Sequence, residues 1–185
     1  NVAAPVTQPN RSTPGAAMSP TNTETQLIVH VADDQDDIQL DASRYEQLAR
    51  SVLSSEGINQ TSELSVLFVS SAMIAELNEQ HMGHTGPTDV LAFPIDEDAT
   101  QPQAENDAPL LLGDVVVCPS VAATNCSNNK DSYPGHQGTV TDEIDLLVVH
   151  GILHVLGMDH AEAEERQHMQ ELERTHLTAF RKGEP

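Results

Sequence analysis

Residues 150–160 read His150-Gly151-Ile152-Leu153-His154-Val155-Leu156-Gly157-Met158-Asp159-His160. His150 and His154 are four apart, so on a helix both rings leave the same face. Gly157 reaches the left-handed conformation that ends a helix, which lets the chain turn and carry His160 back to the other two. Three neutral imidazoles grouped in this way suit a tetrahedral zinc ion. The fourth position stays open for water, which separates a catalytic zinc from a structural one. Zinc lowers the pKa of such a water to about 7 and makes hydroxide available as a nucleophile. With nine His and ten Gly in 185 residues, three His and one Gly at these spacings arise by chance roughly once in a thousand chains. Three histidines satisfied only by backbone carbonyls would be costly in so apolar a segment. The expectation is one Zn2+ per chain, held by His150, His154 and His160.

Working outward, Thr141 with Asp142 and Glu143 behind it opens the helix that carries this motif, and the helix runs through Leu156. Residues 161–181 form a last amphipathic helix with Met169, Leu172, Leu177 and Phe180 inward. Upstream, Leu27 to Val31 reads as a strand. Asp41 caps a helix with Tyr45, Leu48, Ala49, Val52 and Leu53 on its apolar face, and Gly57 stops it. Leu64 to Val69 is a second strand, and Met73, Ile74 and Leu77 mark a short helix. Val90 to Phe93, closed by Pro94, and Leu110 to Cys118 are further strands. Pro119 to Cys126 is a short helix. Residues 96–109 read as an acidic solvated loop and 127–140 as a second loop. Residues 1–25, rich in Pro, Thr, Ser, Asn and Ala, read as a disordered tail. The rest, residues 26–182, reads as one α+β domain with a mixed four-stranded sheet and surrounding helices.

The formal net charge is −21, from 29 acidic and 8 basic residues, and residues 51–129 hold no Lys or Arg. That balance argues against a basic nucleic-acid groove and favours a solvated acidic surface. No apolar run reaches the ~18 residues of a membrane span, and residues 1–23 lack the apolar stretch of a signal peptide. A cytoplasmic protein without membrane contact is expected. Cys118 and Cys126 fit neither a metal knuckle nor a disulfide framework and read as reduced, partly buried thiols. His168 and His176 read as surface or rim residues of the last helix. His30, His81, His84 and His136 are isolated and read as solvated or hydrogen-bonded.

The motif has the HExxHxxGxxH spacing of the metzincin proteases with one departure: Gly151 stands where they carry the Glu that is their general base. A peptidase mechanism would lack its proton acceptor. A second resemblance covers nearly the whole chain outside the tail. The segment 150–160 resembles the HGxLHLxGyDH signature of the YbeY family of bacterial endoribonucleases. Leu77-Asn78 with 87–94 (PTDVLAFP) resembles its LN…PTDVLSFP, and 112–116 (LGDVV) resembles its LGDIVI. Met169, Glu171 and Glu173 resemble its last helix. His81-Met82 stands where the family has Tyr-Arg, and Ala92 where it has Ser.

The resemblance implies a zincin-like domain that cleaves single-stranded RNA, acting in small-subunit rRNA 3′ maturation and ribosome biogenesis. It implies rRNA and the small ribosomal subunit as partners, and an acidic surface also suits a basic ribosomal protein. Supporting roles are expected at three acids: Asp159 beside the third ligand, and Asp89 and Asp114 next to tight turns near the cleft. The other readings are a zinc peptidase and a non-catalytic, metal-stabilised ribosome assembly factor.

Overall fold

A computed structural model of the protein describes residues 26–95 and 108–183. The expected tail and most of the expected acidic loop lie outside them. Four strands, β1 (Leu27–Asp34), β2 (Ser62–Val69), β3 (Val90–Pro94) and β4 (Leu110–Val117), form one mixed sheet in the order β1-β2-β4-β3. β1, β2 and β4 run parallel, with Val29 opposite Leu64 and Val66 opposite Val115. β3 runs antiparallel to β4 at the edge, with Leu91 opposite Val116. The α+β domain with a mixed four-stranded sheet is therefore as the sequence implies.

Alternation along β2 sends Ser62, Leu64, Val66 and Phe68 to one buried face. That face meets α1 (Ala42–Ser55) and α4 (Val140–Val155), and Leu48, Leu53, Ile144, Val148 and Ile152 complete the main core there. A smaller cluster of Val69, Ile74, Leu91, Val116 and Cys118 lies on the other face, under α2 (Ser71–Leu77). At Gly113 the two central strands shift register, and the residue takes φ +146°. A Cβ there would sit 2.2 Å from the Phe93 carbonyl oxygen. Glycine is what lets the edge strand approach β4.

α2 runs on into a π-helical turn, Asn78–Met82, ended by Gly83 in the left-handed conformation. No pattern in the sequence marks this wide turn. It swings Met82 outward, 43% exposed, while Asn78 stays buried and donates to the Gly86 carbonyl at 2.9 Å. α3 (Pro119–Asn125) starts on the expected proline. Cys118 and Cys126 are free thiols and both are buried.

α4 differs from the sequence reading at its start. Its cap is Thr139, not Thr141. The Thr139 hydroxyl accepts from the Asp142 amide, and the Asp142 carboxylate accepts from the Thr139 amide, each at 3.2 Å. This reciprocal box needs an acceptor three residues after the cap, which Thr139 finds in Asp142 and Thr141 would meet as Ile144. The acids that follow are buried and partnered. Asp145 accepts two bonds from Arg44 of α1, at 2.6 and 3.3 Å. Glu143 faces His136 at 3.1 Å and accepts from Asn129 at 2.6 Å. Asp142 pairs with Arg181 of α5 (Ala163–Gly183). α4 is thus clamped to α1, to the loop before it and to α5.

α5 buries Met169 and Leu177 as expected. His176 departs from its expected surface position. It is 6% exposed and bonds Glu56 at 2.6 Å where α5 meets the end of α1, a partner 120 residues away that sequence spacing alone does not reveal. Among the described residues, no helix is long and apolar enough to cross a membrane.

Candidate metal centre

α4 sets the first two ligands. Its last turns carry His150 and His154 on one face, with ring centroids 4.6 Å apart. The helix ends at Val155 with Leu156 as its cap, Gly157 takes φ +89°, and the Met158 amide returns to the Leu153 carbonyl at 3.0 Å. The chain then doubles back and places the His160 ring 4.9 Å from His154 and 5.5 Å from His150. One ligand nitrogen from each histidine lies within 4.8 Å of the other two, and all three rings are half-buried. The three expected ligands meet at one point and can hold one metal ion.

The set also fits a metal chemically. Nδ1 of His150 lies 2.7 Å from a Glu173 carboxylate oxygen. An ionised carboxylate only accepts, so Nδ1 carries the proton and Nε2 keeps its lone pair for a metal. His154 has its pKa lowered by burial first, and then by the neighbouring His150 and His160. A ligand imidazole must be neutral, and this environment favours the neutral form.

Gly151 lies between the first two ligands, where α4 crosses β4. A Cβ at this position would sit 2.4 Å from Val115 Cγ1. The residue that would be the general base in an HExxH enzyme is therefore excluded by packing as well as missing from the sequence.

The three acids expected to support the site lie as follows. Asp159 adjoins the triad, but its side chain accepts from the His160 amide at 2.6 Å and so shapes the turn. Asp89 accepts from Thr88 at 3.4 Å and from Asn125 of α3 at 3.2 Å, while its carbonyl receives the Cys118 amide at 2.8 Å. It joins the start of β3 to α3. Asp114 is half-buried within β4, opposite Phe93 and Ser65. Neither Asp89 nor Asp114 lines the clefts beside the triad. The carboxylate that does reach a ligand ring is Glu173, to which sequence reading assigned no role. Its position one turn beyond Met169 on an amphipathic helix was the available sign, but the partner lies 23 residues upstream.

Two clefts open on the triad. On the β3 side the wall is apolar, with Met82, Leu91 and Pro94 facing His150 and His154. On the α5 side, Arg166, Gln170 and Glu173 stand over His150 and His160. Arg166 is the one Lys or Arg lining either cleft, and it donates to the His160 carbonyl at 3.4 Å.

Comparison with known proteins agrees with this geometry. The family model described as Endoribonuclease YbeY matches residues 30–181. An Endoribonuclease YbeY of Salinispora tropica is 48% identical over 139 residues, covering 72% of this chain and 84% of the relative. That of Thermobifida fusca is 41% identical over 146 residues, covering 79% and 90%. A Thermotoga maritima protein solved in solution shares the fold, with a TM-score of 0.51 at 23% identity over 84% of this chain and 93% of its own. A match that spans strands, clamped helix and histidine triad together leaves one assignment: this chain belongs to the endoribonuclease YbeY family.

Proposed function

We propose that the protein is a zinc-dependent endoribonuclease that cuts single-stranded rRNA in the 3′ maturation of the small ribosomal subunit. The observation that carries the reading is the convergence of His150, His154 and His160 on one point with a cleft on either side. Three protein nitrogens suit zinc with one position left open. When bound, the ion supplies Lewis acidity to an attacking water and to a phosphoryl oxygen. The chain's own residues do the rest. Glu173 fixes the tautomer and the plane of the His150 ring. The turn from Gly157 to Asp159 holds His160 in place. Arg166 offers positive charge beside the third ligand. Among the described residues Glu173 is the one carboxylate lining either cleft, and it is committed to His150.

The partners follow from charge. A surface at −21 suits a basic ribosomal protein on the small subunit, which would bring the enzyme to its RNA and offset its repulsion of a polyanion. The cytoplasm is the matching compartment. A peptidase reading finds no support, because position 151 has no room for the general base.

The deciding experiment compares zinc-loaded wild type with His154→Ala on a single-stranded RNA and on an unstructured peptide. RNA cleavage that is lost in the variant and on chelation supports the reading. Peptide cleavage without RNA cleavage overturns it.

A further inference from the structure

The arginines of the described residues divide into two groups. Arg44, Arg50 and Arg181 are paired with Asp145, Glu46 and Asp142. Arg166 and Arg174, both exposed on α5, have no carboxylate partner among the described residues. In a chain with more than three acids for each base, two exposed guanidiniums that stay unpaired are available to an external anion.

Their placement is not scattered. Arg166 lines the cleft over His150 and His160. Arg174 lines a neighbouring cavity with Asn129, Ser132 and Tyr133. The two hollows share Gln170 and Glu173, so they flank the same turn of α5. Eight helical residues set the arginines about 12 Å apart along the axis. Arg174 uses Nε on the Ser132 carbonyl, at 3.2 Å, which leaves its terminal nitrogens for a ligand. In the same cavity the Ser132 hydroxyl is buried without a hydrogen-bond partner. A buried hydroxyl without a protein partner is open to a water or a ligand oxygen. The opposite wall of the metal centre offers no such groups. It is apolar, and residues 51–129 supply it with no Lys or Arg.

We propose that the RNA backbone crosses the metal centre on its α5 side, held by Arg166 at the phosphate beside His160 and by Arg174, with Ser132, at a phosphate farther along. This rests on the endoribonuclease reading and adds to it the direction of the strand and the groups that grip it. Glu173 lies on the path, but its carboxylate is turned to His150. Two phosphate contacts, where a basic nuclease groove has many, also give a small salt dependence. For a single strand each contact contributes about 0.7 to the slope of log K against log salt.

The test separates binding from cleavage. Binding of a labelled, uncleavable 2′-O-methyl oligonucleotide is followed over a salt series for zinc-loaded wild type, Arg166→Gln, Arg166→Lys, Arg174→Gln and Arg50→Gln. Zinc content and Tm are recorded for each. Wild type is expected to show a slope near −1.4, about twice the single-contact value. Arg166→Gln and Arg174→Gln should each bind roughly three- to tenfold more weakly and lose about 0.7 of the slope, with zinc content unchanged. Arg166→Lys should keep the slope, because counterion release follows charge, and Arg50→Gln should match wild type. Unchanged binding and slope in both glutamine variants would overturn the proposal, as would a wild type that does not bind. Binding that behaves as expected, with no cleavage of the matching RNA, would leave the path in place and remove the nuclease reading instead.

Discussion

Glu173 of α5 accepts a hydrogen bond from Nδ1 of His150 of α4 at 2.7 Å, across the gap between the two helices. That bond commits Nδ1 of His150 and leaves its Nε2 free to face a metal. Outer carboxylates of this kind are worth 10- to 100-fold in metal affinity, by about that factor. Glu173→Ala is therefore expected to weaken zinc binding about 10- to 100-fold, read by competition with a fluorescent chelator. Glu173→Gln keeps an acceptor oxygen and should fall between. Equal affinity in all three proteins would show that the carboxylate does not orient the ring.

Loss of any one of His150, His154 and His160 is expected to abolish tight binding, because two imidazoles without the third leave half a tetrahedral site. Elemental analysis after desalting should find about one zinc per chain in wild type and next to none in each alanine variant. Full zinc in His154→Ala would mean that the ion sits elsewhere.

Gly151→Ala places a methyl group 2.4 Å from Val115 Cγ1, where α4 lies on β4. Overpacking of this kind costs about 1–3 kcal/mol, measured by urea unfolding. The loss in the double variant Gly151→Ala, Val115→Ala should be smaller than the sum of the two single losses, since the clash is with that side chain. If Gly151→Ala alone is as stable as wild type, the helix does not lie so close to the strand.

Asp142 gives a pH-dependent prediction. Burial pushes its carboxyl up, but hydrogen bonds from Thr139, Gln137 and Arg181 outweigh burial and hold it below its ordinary 3.8. A carboxyl lowered by folding stabilises the fold above its unfolded pKa, and that contribution is lost as pH falls through the folded one. Asp142→Ala should cost about 1–2 kcal/mol near neutral pH through the lost capping box. The difference from wild type should shrink as the pH drops below 3.8. A difference independent of pH would mean that charge plays no part in this cap.

Much of the site is legible because it is local. His150, His154, Gly157 and His160 lie within eleven residues, and helical geometry with one left-handed glycine brings them together without help from the rest of the chain. Strands are legible for the same reason: the alternation in 62–69 belongs to one segment, and its burial follows the alternation. The cap of α4 lies two residues before the one local sequence suggests, because Thr139 and Thr141 both precede acids and differ only in what stands three residues on.

Spacing within a segment, or composition alone, is enough to read the three candidate metal ligands, the turn that gathers them, the α+β class and the acidic charge. Packing, in contrast, sets Glu173 beside His150, buries His176 against Glu56, brings Val115 onto Gly151 and stands Arg166 over the triad. Those pairs join residues brought together by the packing of α5 and β4 on other elements. A pattern read along one segment does not encode which distant segment comes to lie beside it. The burial of the main core fixes that, and the side chains find their partners as a consequence.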